Sequence, residues 1–339
     1  MEVPRDFFVL SGFLGSGKTT LLTGFLAMED DGQTAVIVND VGQVNIDGAL
    51  IAVQSGVPMT TLSNGCVCCS LTNDLPYTIE ALIVERQRAG GAPFTKVILE
   101  CSGLSEPGGV LRSLGPLAAL GMRVRVITTY GCDRPVRDDD FALAANQLCA
   151  AHVIVLTRLD LATMEQISEA VAFVQELGPM ASLVMERGRG ERSKAAFATE
   201  NVGLPSPGRS ERLIELRGNG HPRIGVFAIQ WDERIDWPTL AAWLENAAGY
   251  LDSRLLRVKG LVLLTGADEP ILIQGVGQHF DTPRRVPSQE SGSSLVVLSR
   301  DTDLAEIEAI QPCLPVARYF MLQSPGAVNK VRLARPSLA

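Results

Sequence analysis

Short apolar runs rich in β-branched residues recur through the first half of the chain: DFFVL at 6–10, TAVIVND at 34–40, KVILE at 96–100, RVRVITT at 123–129 and HVIVLT at 152–157. Runs of this length with little apolar/polar alternation read as strands buried on both faces. Helix-compatible segments separate most of them, the first running from Lys18 to about Met28. Such alternation predicts an α/β fold: a mainly parallel sheet covered by helices on both faces, with ligand sites in loops at the C-terminal ends of the strands.

The pattern dissolves between 186 and 222, where RGRGERSK and GLPSPGRSERLIELRGNGHP are dominated by glycine, proline, serine and arginine. This segment is expected to be a flexible linker. Beyond it come IGVFAIQW, WPTLAAWLENAAGYL, LLRVKGLVLLTG, PILIQGVGQHF, SLVVLSR and DLAEIEAIQPCL, read as strand, helix, three strands and helix. The expected organisation is an α/β domain at 1–185, a linker at 186–222 and a smaller α+β domain at 223–325.

Composition narrows the partners. With 38 acidic against 30 basic side chains, the net charge of -8 gives no general attraction for nucleic acid or an anionic membrane. The first apolar stretch is flanked by Glu2 and Asp6 and broken by glycines from Gly12 onward, unlike a secretory signal, and no apolar run reaches membrane-spanning length. Three of the 7 cysteines crowd into Cys66, Cys68 and Cys69, which fits reduced thiols in a cytoplasm better than a secreted disulfide framework.

Candidate chemistry begins where the first strand ends. Gly12-Phe-Leu-Gly15-Ser16-Gly17-Lys18-Thr19 has the spacing of a phosphate-binding loop and stands between a predicted strand and a predicted helix. Glycines let backbone N–H groups curl around phosphates, and the helix start through Thr20 adds its positive dipole end. Lys18 reaches the terminal phosphates and the Thr19 hydroxyl suits Mg2+.

Glu100-Cys-Ser-Gly103, at the end of the third predicted strand, has the form of a carboxylate that binds Mg2+ through water, followed by a glycine whose N–H meets the γ-phosphate. A plain strand-end acid capping its own turn is the alternative. Thr157-Arg158-Leu-Asp160 closes the fifth predicted strand. Asp160 suits the guanine N1–H and exocyclic amine, with the stem of Arg158 along the base, which favours GTP over ATP. Thr157 stands where a guanine site would carry an asparagine. A helix-capping role for Asp160 stays open.

Cys66-Val-Cys68-Cys69 offers three thiolates in one tight turn, suited to Zn2+ or Co2+, with a fourth coordination position left for a carboxylate, water or a partner. A redox pair and a buried structural turn are the other readings of this spacing.

GFLGSGKTT (12–20), VNDVGQVNID (38–47), NGCVCCSLTNDL (64–75), ECSGLSEP (100–107), QLCAAHVIVLTRLDL (147–161), LLRVKG (255–260) and ILIQGVGQHF (271–280), in this order, resemble the CobW-type metallochaperone GTPases. The resemblance implies magnesium-dependent GTP hydrolysis coupled to binding and release of zinc or cobalt at Cys66, Cys68 and Cys69. It also implies a client metalloprotein; the assembly is left open, a homodimer among the options. Asp40 and Gln43 stand where the family usually has glutamates, and the histidine-rich tract of several members is absent, since 186–222 holds only His221. An activator or escort that carries no metal, and a P-loop kinase, are the competing functions.

Overall fold

Unbroken apolar runs in the first half do become buried strands. The structure, a computed structural model, describes residues 6–28, 33–38, 59–61, 67–105, 122–136, 140–198, 223–286, 292–314, 317–323 and 332–333. The chain divides into two compact units, Met1–Val202 and Gly203–Ala339.

In the first unit, strands β1 (Asp6–Gly12), β2 (Thr34–Val38), β3 (Met59–Thr61), β4 (Lys96–Glu100), β5 (Arg123–Gly131), β6 (Val153–Thr157) and β7 (Ser182–Val184) form one sheet in the order β3-β2-β4-β1-β5-β6-β7. Every pairing is parallel. The expected α/β class is therefore the observed one, and the short strands β3 and β7 are additions. Helices α1 (Lys18–Leu26), α2 (Val67–Arg88), α3 (Phe141–Ala150) and α4 (Met164–Leu177) connect the strands. In α4, the Thr163 hydroxyl accepts from the Gln166 N–H while the Gln166 side chain accepts from the Thr163 N–H, a closed cap at its start.

Register decides which loops meet. Leu10 lies opposite Glu100 of β4 and Ile127 of β5, Gly12 opposite Thr129, and Gly131 opposite Thr157. The C-terminal ends of β1, β4, β5 and β6 thus form one edge of the sheet.

The structure departs from the expected linker at its start. Residues Arg189–Ala196 form a further helix, α5, held against α1. Its inward face is made of small residues. The Ser193 hydroxyl donates to the Leu21 carbonyl at 3.0 Å, and a side chain on Gly24 would collide with that hydroxyl. Phe197, which follows α5, stacks on Phe25 at 4.2 Å and meets Phe8 edge-on at 5.3 Å, completing the core between β1 and α1. The rest of the expected linker, 199–222, lies outside the described residues.

The second unit is an antiparallel sheet of 8 strands in the order β11-β10-β9-β13-β8-β14-β15, with β12 beside β10. Its strands are β8 (Ile224–Trp231), β9 (Leu255–Val262), β10 (Ile271–Val276), β11 (His279–Phe280), β12 (Arg284–Arg285), β13 (Ser293–Arg300), β14 (Arg318–Gln323) and β15 (Arg332–Leu333). Helix α6 (Trp237–Leu251) starts at Asp236, whose side chain accepts from the Thr239 N–H, and packs Leu240, Trp243, Leu244 and Leu251 on one sheet face. The last predicted helix shrinks to α7 (Leu304–Glu308), because Pro312 and Pro315 cannot continue it. Strands β14 and β15 were not expected, and β15 lies beyond the expected end at 325.

Candidate functional site

A cleft of about 780 Å3 opens along the C-terminal edge of the parallel sheet, within the first unit. It is lined by Gly15, Gly17, Lys18, Thr19 and Thr20 from the glycine-rich loop and α1. Glu100 and Gly103 from the end of β4, and Thr157, Arg158 and Asp160 from the end of β6, complete it. Segments far apart in sequence, each singled out for phosphate, magnesium or base, thus face one space. Gly12 and Ser16, of the same loop, are not in this lining, and Ser16 is buried.

The loop has the backbone its glycines predict: φ is +134° at Gly12, +70° at Gly15 and +93° at Gly17, values that favour glycine. The Lys18 ammonium donates to the Gly12 carbonyl at 2.9 Å and to the Phe13 carbonyl at 3.2 Å, which folds the side chain back along its own loop. Beside it, the Thr19 hydroxyl donates to Oε1 of Glu100 at 2.7 Å. A hydroxyl and a carboxylate at this spacing are hard oxygen donors of the kind Mg2+ takes.

Gly103 is set by close approach. A Cβ there would stand 2.7 Å from the Leu14 backbone nitrogen, so the turn after β4 lies directly on the phosphate loop. The buried amide of Gln147, on α3, fastens that turn by donating to the Gly103 carbonyl at 3.1 Å and the Ser105 carbonyl at 3.0 Å. Cys101, between Glu100 and this turn, is buried, and burial pushes its thiol up to about 12 against the pull of the Lys18 charge. It is a core thiol.

At the other end of the cleft Arg158 adopts a left-handed backbone, φ +58°. Its guanidinium donates to the Gly15 carbonyl at 3.1 Å and pairs with Asp133 at 3.1 Å. The Thr157 hydroxyl donates to the Ser16 carbonyl at 2.6 Å, and the Ser16 and Thr129 hydroxyls share a hydrogen bond, also 2.6 Å. The end of β6 and the phosphate loop are therefore one bonded framework.

Sequence reasoning missed the wall supplied by the expected linker. Arg187, Arg189, Arg192 and Ser193 line the cleft. The Arg192 guanidinium donates to the Glu186 carbonyl at 2.6 Å and the Arg187 carbonyl at 2.9 Å, and burial lowers its pKa while Asp160 opposes that shift. The glycine–arginine composition of RGRGER concealed a cleft wall that only its position after β7 could have flagged.

The thiolate motif is only partly reached. Cys66 lies outside the described residues, as do Asp40 and Gln43, and Cys68 and Cys69 enter as backbone in the first turn of α2. Among the described residues no group of three or more histidine, cysteine, aspartate and glutamate side chains is placed to hold a metal, and no helix is long and apolar enough to cross a membrane.

Residues 6–184 match the family described as CobW/HypB/UreG, nucleotide-binding domain. The chain belongs to this family. Residues 224–314 match a second description, the cobalamin synthesis protein cobW C-terminal domain, so the family pattern continues across the antiparallel unit. Over 316 residues the chain is 27% identical to the zinc chaperone YjiA of Escherichia coli, covering 90% of this chain and 97% of that protein. It is 34% identical over 299 residues to the zinc chaperone YeiR of the same organism, covering 82% and 89%. The crystal structure of Zn(II)-bound YjiA GTPase from E. coli shares the fold, with a TM-score of 0.60 at 22% identity over 91% of this chain and 98% of that one.

Proposed function

We propose that this family member is a cytoplasmic GTP-hydrolysing metallochaperone, which couples the state of its nucleotide to the holding and release of Zn2+, or Co2+, for a client metalloprotein. The observation that carries the nucleotide half is the Thr19–Glu100 bond on the floor of a cleft that has Asp160 at its far end. The metal half is supported by the Cys66-Val-Cys68-Cys69 spacing and by relatives named as zinc chaperones.

In this reading the backbone N–H groups of Gly15 to Thr20 cradle the phosphates, and the Gly12 and Phe13 carbonyls release Lys18 to them. Thr19 and, through water, Glu100 would hold Mg2+, which when bound would supply positive charge against the phosphates. The Gly103 N–H meets the γ-phosphate. Asp160 accepts from the guanine N1–H and amine while Arg158 lies along the base. Cys66, Cys68 and Cys69 bind the transferable ion, which is cargo, as thiolates.

Titrating zinc into the protein with magnesium and either GTP or GDP tests the coupling. Affinities differing by about tenfold or more between the two states are expected. Equal affinities remove the coupling, and a Cys66→Ala variant that still takes up one equivalent of zinc removes the thiolate site. Binding of a client gated by nucleotide in a protein lacking all three cysteines replaces the carrier reading with that of an escort.

A further inference from the structure

We infer that Thr157 serves the phosphate loop through Ser16 and leaves the N7 edge of the bound purine unread. The inference rests on the guanine reading of the cleft given above.

A threonine hydroxyl has a single hydrogen to donate. Here that hydrogen lies between two protein carbonyls, Ser16 at 2.6 Å and Tyr130 at 3.2 Å. Purine N7 is an acceptor, so it needs a donor, and the Thr157 hydroxyl has none left. An asparagine amide at the same place has two N–H bonds and can serve a loop carbonyl and N7 together. The side chain is also closely covered by the loop: Thr157 is 4% exposed, and a Cβ built on Gly17 would touch its Cβ, Cγ2 and Oγ1 at 3.5 Å.

Two arginines at this end are held in place by protein acceptors. Arg158 is engaged by the Gly15 carbonyl and Asp133, and Arg192 by the Glu186 and Arg187 carbonyls. What Thr157 does hold is Ser16, whose hydroxyl is gripped from the opposite side by Thr129 on β5. One loop residue is thus pinned by the ends of two adjacent strands. The residue at the head of the base motif acts as a positioning residue for phosphate, and the base is told apart at its N1 and amine edge.

The test is a parallel titration of the full chain with GTP, 7-deaza-GTP, which replaces N7 by C–H, and ATP, all with magnesium. The wild-type protein is expected to bind GTP and 7-deaza-GTP within about twofold of each other. Thr157→Val should weaken both by the same factor, about three- to tenfold for one hydrogen bond between protein groups. Thr157→Ser, which keeps the hydroxyl, should restore both. Thr157→Asn should acquire a preference for GTP over 7-deaza-GTP.

A wild-type preference for GTP over 7-deaza-GTP of tenfold or more overturns the inference, as does a Thr157→Val variant that binds both unchanged. ATP bound as tightly as GTP overturns the guanine reading instead, and the two failures are separated in the same experiment.

Discussion

Thr19 and Glu100 are joined by a 2.7 Å hydrogen bond between residues that arrive from α1 and from the end of β4. The strand that leads into the loop, β1, is adjacent to β4 in the sheet, with Leu10 opposite Glu100, so the pairing register itself delivers the carboxylate to the loop. Local sequence supplies the residue types and the sheet supplies the distance.

Because the two oxygens form one unit, their substitutions should not multiply. Glu100→Gln and Thr19→Val are each expected to lower kcat for GTP hydrolysis by about 10- to 100-fold and to raise the magnesium needed for half-maximal rate. The double variant should be close to the worse single one. Phosphate release across a magnesium series checks this, and a fully multiplicative double variant means that the two residues act apart.

Asp160 should decide the base. Exchanging its carboxylate for an amide turns an acceptor into a donor, which suits the C2 carbonyl of xanthine and opposes the amine of guanine. Asp160→Asn is therefore expected to lose at least tenfold in GTP affinity and to gain a comparable amount for XTP. Competition between the two nucleotides reads this directly, and an unchanged preference removes Asp160 from base selection.

How much of this was legible in advance depended on what each residue touches. Gly12 to Thr19, Glu100 and Asp160 announce themselves because strong local constraints, a glycine turn or a charged strand end, coincide with predicted element boundaries. Gln147 carried no such mark, since an amide within an apolar helix segment reads the same whether or not it reaches two carbonyls on another element. Helix α5 stayed hidden for a related reason. Its packing face is Ser193, Ala196 and the flanking Phe197 against Gly24 and Phe25, where close approach of small residues replaces an apolar stripe.

That account of α5 predicts a stability effect which a flexible linker would not show. Phe197→Ala removes a ring stacked on Phe25 and edge-on to Phe8, and should destabilise the first unit by about 3–5 kcal/mol. For a unit of this size the melting temperature should fall by roughly 10 °C. A thermal melt within 1 °C or so of wild type sinks the account, since surface changes stay within about 0.5 kcal/mol.

Cys101 should take no part in metal binding. Its side chain is buried, and burial pushes the thiol up to about 12, so at pH 8 it stays in the unreactive thiol form. Alkylation of the native protein at pH 8 followed by peptide mass spectrometry should find Cys101 unmodified while exposed Cys313 reacts. Cys101→Ser should leave the zinc stoichiometry unchanged. Rapid native-state labelling of Cys101 contradicts this assignment.

The double grip of Gln147 on the turn behind Glu100 makes α3 a mechanical party to whatever happens at Gly103. The turn sits against the Leu14 backbone on one side and is tied at both the Gly103 and Ser105 carbonyls on the other. A shift of Gly103 by more than a bond length has two routes. Either α3 is dragged with it, or two buried carbonyls are stripped of their donor at about 1–3 kcal/mol each. The first route carries a displacement in the cleft to the helix that precedes β6, the strand that ends in Thr157.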